Sequence, residues 1–73
     1  MLSYRLREAM DIRRKTQDRL AAETGVSQSH ISRILNGERE PTVDIAVRLA
    51  YALDVSLDWL CGLPPGPDSP LAP

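Results

Sequence analysis

Between residues 25 and 37 the chain reads GVSQSHISRILNG, and Gln28, Ser29, Ser32, Arg33 and Asn36 are the side chains in it best suited to bind a ligand. Ile31, Ile34 and Leu35 alternate with them at helical spacing. On a helix the three apolar residues share one side, while Ser29, Ser32, Arg33 and Asn36 occupy the other. That polar side holds no acid, although the whole chain contains 10 Asp and Glu residues. Short hydroxyls around one arginine suit close approach to a flat, polar, negatively charged surface, and the DNA major groove is such a surface. Gln28, on the flank of the face at the helix start, can swing forward and pair with adenine through its amide. Ser29 can donate to or accept from a base edge, and Arg33 can fork onto guanine. Ser32 lies close enough for a base or a thymine methyl. Asn36, at the far end, suits a phosphate, which fixes register rather than sequence. The duller alternatives are that Ser29 and Ser32 merely face solvent and that Arg33 pairs with a nearby acid. His30 projects off this face and reads as a surface residue.

A helix this short is not stable alone, so other elements must hold it. Ser27 suits its N-cap and Gly37 its stop. Before it, Thr16 offers the N-cap of another short helix with Leu20 and Ala21 as its apolar positions, ended by the positive φ that Gly25 tolerates. A steep crossing of two helices needs a small contact residue, which Ala21 provides, and Val26, Ile31 and Ile34 return to the same core. These six positions, Leu20, Ala21, Gly25, Val26, Ile31 and Ile34, form the skeleton of a helix-turn-helix unit. Ser3 is expected to cap a first helix striped with Leu2, Leu6, Ala9 and Met10. Thr42 caps a fourth, with Ile45, Ala46, Leu49, Ala50 and Leu53 inward. Ser56 caps a short fifth, ending at Gly62. The expectation is an all-α domain of five helices over residues 1–62, followed by a Pro-rich tail over 63–73. The tail sequence PPGPDSPLAP excludes helix and central strand, and reads as a polyproline-like or disordered segment or as a docking motif.

The stretch TQDRLAAETGVSQSHISRILNGEREP, followed by LAYALDVSLDWL, closely resembles the Cro/repressor-type (XRE) helix-turn-helix family, over residues 3–62. The resemblance implies five α-helices, the third lying in the DNA major groove, usually as half of a dimer. It also implies base reading by the residues matching Gln28, Ser29 and Arg33. Gln17 opens the second helix, whose N-terminal amides can take a phosphate oxygen; the family implies the same backbone contact, and that this glutamine steadies the recognition glutamine. The blander alternative is that Gln17 is only a good residue after a Thr cap. The family commonly dimerises through its fifth helix, and Leu57, Trp59, Leu60 and Leu63 crowd the end of a domain too small to cover them all. They are therefore expected at a dimer interface, with Trp59 as plain core the alternative. Two residues depart from the pattern: Thr24, where an apolar residue is more usual, and Lys15, where a small or apolar one is.

Composition limits the rest. Seventy-three residues allow one small domain whose stability a partner subunit would help. One cysteine and one histidine exclude an internal disulfide and argue against a metal site. Cys61 reads as a small apolar residue. With no long apolar run, neither a transmembrane helix nor a signal peptide is expected, and the setting reads as cytoplasmic. The net charge is −1, but residues 1–19 carry six basic against three acidic side chains, while residues 41–73 carry one against four. The basic half, with Arg39 in the loop and Arg13, Arg14 and Lys15 near the end of the first helix, can extend a phosphate clamp or be merely solvated. No cofactor and no enzymatic chemistry are expected, since nothing pairs a nucleophile with a base. The expected partner is double-stranded DNA, read as a palindrome by a homodimer acting as a repressor, with another protein as a further candidate. A rival reading is an antitoxin-like interaction module that binds a protein through the Trp59 region and the tail.

Overall fold

Helix starts in this chain are set by hydroxyls. In the computed structural model, which describes residues 2–62, Thr16, Ser27, Thr42 and Ser56 each sit in extended backbone and accept a hydrogen bond from the amide three residues on. Such caps are worth about 1 kcal/mol each. They open α2 (Gln17–Thr24), α3 (Gln28–Leu35), α4 (Val43–Leu53) and α5 (Leu57–Leu60). The first helix, α1 (Leu2–Arg13), breaks the rule. It is already helical at Leu2, so Ser3 lies within its first turn and is not its cap, contrary to the sequence expectation. Leu2 is buried with Leu6, Ala9 and Met10, and keeping it on that stripe requires helix at this position. Residues 63–73, including the Pro-rich segment and Leu63, lie outside the described residues, as does Met1.

The described residues form five helices and no strand, the all-α architecture the sequence predicts. Leu6, Leu20, Ile31, Ile34, Leu49, Leu53 and Leu60 are fully buried at their centre. Packing α3 against both α2 and α1, α2 against α4, and α5 against both α1 and α4 closes the bundle around this core. The two helices of the recognition unit are therefore gripped from behind by α1 and α4.

The tight corner between α2 and α3 depends on two adjacent residues. Gly25 adopts φ 76, and its amide donates to the Ala21 carbonyl to end α2. Thr24 is buried, and its hydroxyl donates to the Leu20 carbonyl at 2.7 Å while accepting from the Val26 amide at 3.2 Å. A residue that looks out of place in the sequence thus leaves no polar atom unmet and supplies an acceptor to an amide at the corner. Replacing Thr24 with Val keeps the shape but leaves the Val26 N–H buried without that acceptor. The expected result is a loss of about 1–3 kcal/mol of stability, read from urea unfolding at unchanged m-value.

Candidate nucleic-acid interface

On α3 the inward stripe is complete: Ile31, Ile34 and Leu35 are buried. Gln28, Ser29, Arg33 and Asn36 are exposed and Ser32 is half-buried, so the five candidate contact residues share the outward side. The side chains of Gln28, Ser29 and Arg33 have no hydrogen-bond or ion-pair partner among the described residues. Arg33 in particular is not paired to an acid. Its guanidinium and the neighbouring amide and hydroxyl are available to an external acceptor, in a row along one helix. Asn36 caps α3 with its backbone amide bonded back to Ser32, and its side chain is exposed at that end. His30 differs from expectation. It is half-buried, with Nε2 sheltered and without a partner, because the helix turns it toward the packed side rather than fully to solvent.

Gln17 occupies the first position of α2, half-exposed, and makes no hydrogen bond to Gln28 among the described residues. Arg39 lies exposed in the loop between α3 and α4, also without a partner.

The basic half of the chain is largely committed to the fold. Arg13 donates to the Leu53 carbonyl at 2.8 Å and to the Asp54 carbonyl at 2.9 Å. Lys15 donates to the Ala52 carbonyl at 2.7 Å and pairs with Glu23 at 2.6 Å. Both therefore hold the C-terminal end of α4, where carbonyls lack helical donors and the helix dipole favours cations. This corrects the reading of Arg13 and Lys15 as phosphate clamps. Arg7 reaches the Leu35 carbonyl at the end of α3, and Arg48 reaches the Thr24 carbonyl at the end of α2, each at 3.5 Å. Arg48 also pairs with Asp44, Arg19 with Glu23, and the Arg5 guanidinium lies 4.8 Å from the centroid of the Trp59 ring. The positioning roles of Arg7 and Arg48 escape the sequence because their partners are carbonyls 28 and 24 residues away. Among the described residues, the cations left without a partner are Arg14, Arg33 and Arg39.

On α5, Leu57 and Trp59 are half-buried, with Cys61 beside them. Leu60, grouped with them by sequence, is fully buried within this one chain and belongs to its core. It can support a surface formed by Leu57 and Trp59 only from beneath. A separate apolar stripe, Val43, Val47 and Tyr51, remains exposed on α4. Val47 and Tyr51 of this stripe border a surface groove of about 480 Å³ that is also lined by Lys15, Thr24 and Arg48, and by none of the five candidate contact residues of α3. Among the described residues no His, Cys, Asp and Glu cluster could hold a metal, and no helix is long and apolar enough to cross a membrane.

Comparison with known proteins agrees with this fold. The helix-turn-helix family profile matches residues 6–60. The chain is 42% identical over 48 residues to the cryptic phage CTXphi transcriptional repressor RstR of Vibrio cholerae serotype O1, an alignment covering 66% of this chain and 43% of that one. It thus spans less than half of that relative's length. Among solved structures it superposes on the restriction-modification controller protein C.AhdI of Aeromonas hydrophila with a TM-score of 0.77 and 29% identity, covering 81% of this chain and 89% of that one. The SinR protein/SinI protein complex gives a TM-score of 0.78 at 24% identity, over 82% of this chain and 59% of that one, a likeness of fold alone.

The ion-paired corner behind α2 yields a prediction about acid. Hydrogen bonds from Lys15 and then Arg19 hold the Glu23 carboxyl below its ordinary pKa, against the small opposing effect of burial. A carboxylate with a lowered folded pKa contributes stability above the usual carboxylate range, and loses it as pH falls through the lowered value. Stability measured by denaturant titration across that acid range is expected to fall less steeply for Glu23→Gln than for the unaltered chain. Parallel curves for the two would show that the pairs contribute nothing to folding.

Proposed function

The chain belongs to the helix-turn-helix family, of the Cro/repressor (XRE) type whose members are DNA-binding transcriptional regulators, and on that premise we propose that it is a sequence-specific repressor acting as a homodimer on a palindromic operator. The observation that carries the proposal is the outward side of α3: Gln28, Ser29, Ser32 and Arg33 in a row, no acid among them, and no internal partner for the amide or the guanidinium. In this reading Gln28 and Arg33 make bidentate contacts to adenine and guanine, and Ser29 and Ser32 contact base edges or a thymine methyl. Gln17 with the amides at the start of α2, Asn36 at the end of α3 and Arg39 in the following loop take phosphates, and so fix the register in which α3 is read. The similarity to a protein named as a transcriptional repressor supports the direction of regulation.

For the dimer, Leu57 and Trp59 offer an aromatic and aliphatic surface on α5, backed by the fully buried Leu60. Two copies related by a two-fold axis through this surface would present their α3 helices to successive major grooves, with half-sites about 10 bp apart. Dimerisation would matter energetically, because a chain of net charge −1 gains little from general attraction to DNA.

The test separates reading from folding. Ser29→Ala with Arg33→Ala, both exposed and outside the core, is expected to leave the melting temperature nearly unchanged and to abolish discrimination between a selected site and random duplex. Loss of one good bidentate base contact alone is worth about 1–3 kcal/mol, about 5- to 150-fold in affinity. Full site preference in the double variant would contradict the assignment. Trp59→Ala is expected to shift sedimentation toward monomer and to weaken operator binding more steeply at low protein concentration.

A further inference from the structure

We propose that Arg14 contacts a DNA phosphate beside the recognition unit from a backbone position that costs the fold stability, so that removing its side chain strengthens folding while weakening binding. The proposal rests on the DNA-binding reading above and adds to it a conflict between stability and function at one residue. Its starting point is the closure of α1. The Lys15 amide donates to the Met10 carbonyl at 2.9 Å and the Arg14 amide to the Asp11 carbonyl at 3.2 Å, the pair of bonds that ends a helix through a left-handed residue. Arg14 is that residue, with φ 56. Glycine is preferred there because any Cβ crowds the backbone. The same left-handed role is filled by Gly25 behind α2.

The loop has no freedom to relieve this. On either side of Arg14, Arg13 and Lys15 are tied to the end of α4 by three bonds of 2.7–2.9 Å, so the turn between them is fixed. Among the described residues the other left-handed residue with a side chain is Asp54, an amino acid that tolerates this region, and its carbonyl is held by Arg13. Arg14 has no such compensation. Its side chain is exposed and has no hydrogen bond or ion pair among the described residues. Beyond the weak, screened attraction of the α1 C-terminus for a cation, the fold makes no use of the guanidinium, and the backbone would be easier without it. Arg14 also lies three residues before Gln17, at the end of α2 proposed to meet the DNA backbone. A planar, permanently charged donor in that place is suited to a phosphate oxygen.

The experiment compares the full chain with Arg14→Gly and Arg14→Lys, measuring thermal unfolding and anisotropy of a labelled random-sequence duplex from low to moderate salt. Arg14→Gly is expected to melt about 4 °C higher. It should bind more weakly, with a log–log salt slope shallower by about 0.9 per bound subunit. Arg14→Lys should keep the salt slope and the original melting temperature. Arg14→Gly with unchanged affinity and slope would overturn the proposal, leaving Arg14 a solvated surface residue. Arg14→Gly that melts lower would overturn the conflict between folding and binding. An unaltered chain that binds no duplex at any salt would overturn the DNA reading itself and this proposal with it, an outcome distinct from equal binding by chain and variant.

Discussion

Cations reaching across the molecule to bare helix C-termini hold this fold in shape. The end of α4 is the clearest case: Arg13 and Lys15, consecutive but for one residue, place three short bonds on the carbonyls of Ala52, Leu53 and Asp54. Hydrogen bonds from charged donors are worth more than neutral ones, about 1.5–3 kcal/mol each where partly buried. They also neutralise the negative end of the helix dipole. The consequence is mechanical as well as energetic. The short link between α1 and α2 is bolted to α4, which fixes where α2 begins, and α2 in turn fixes the corner from which α3 departs. Weaker contacts of the same type, from Arg48 to the end of α2 and from Arg7 to the end of α3, brace the two helices of the recognition unit.

This use of cations decides which charges an acidic chain leaves free for the surface proposed to read DNA. Charge placed on carbonyls, on Glu23, on Asp44 and over Trp59 is taken up within the chain, and among the described residues three guanidiniums, those of Arg14, Arg33 and Arg39, are left over. Arg33 stands in the middle of the polar side of α3, with Arg39 in the loop that follows. Binding of the proposed kind, with so few uncommitted cations, would lean on base contacts and on pairing two subunits, which favours selectivity over general affinity for nucleic acid.

What the sequence reveals and what it hides divide along the distance between partners. Thr16, Ser27, Thr42 and Ser56 are recognisable as caps because a cap and the amide it serves are three residues apart. Gly25 is recognisable because only a small residue turns that corner easily. The outward side of α3 is legible for the same reason, since a helix fixes it from spacing alone. Ser3 misleads because burial of Leu2, a tertiary effect, outweighs a good capping residue. Leu60 misleads because its complete burial depends on α1 and α4 meeting α5, which residues 56–63 alone do not encode. The basic run is the largest misreading. In one dimension Arg13, Arg14 and Lys15 are equivalent, whereas in the fold two of them bind carbonyls some forty residues on and the middle one is left outside. Thr24 looks like a defect until its hydroxyl is seen to serve two backbone groups at once.

The claim that most needs testing is that the outward side of α3 reads a two-fold symmetric DNA site. The most direct measurement is selection of the purified chain on a random duplex pool at low salt, followed by sequencing of the enriched fraction. An inverted repeat is expected, with half-sites about 10 bp apart that contain the adenine and guanine contacts suited to Gln28 and Arg33. A single unpaired motif would contradict the symmetric dimer, and a pool that shows no enrichment would contradict sequence reading by α3.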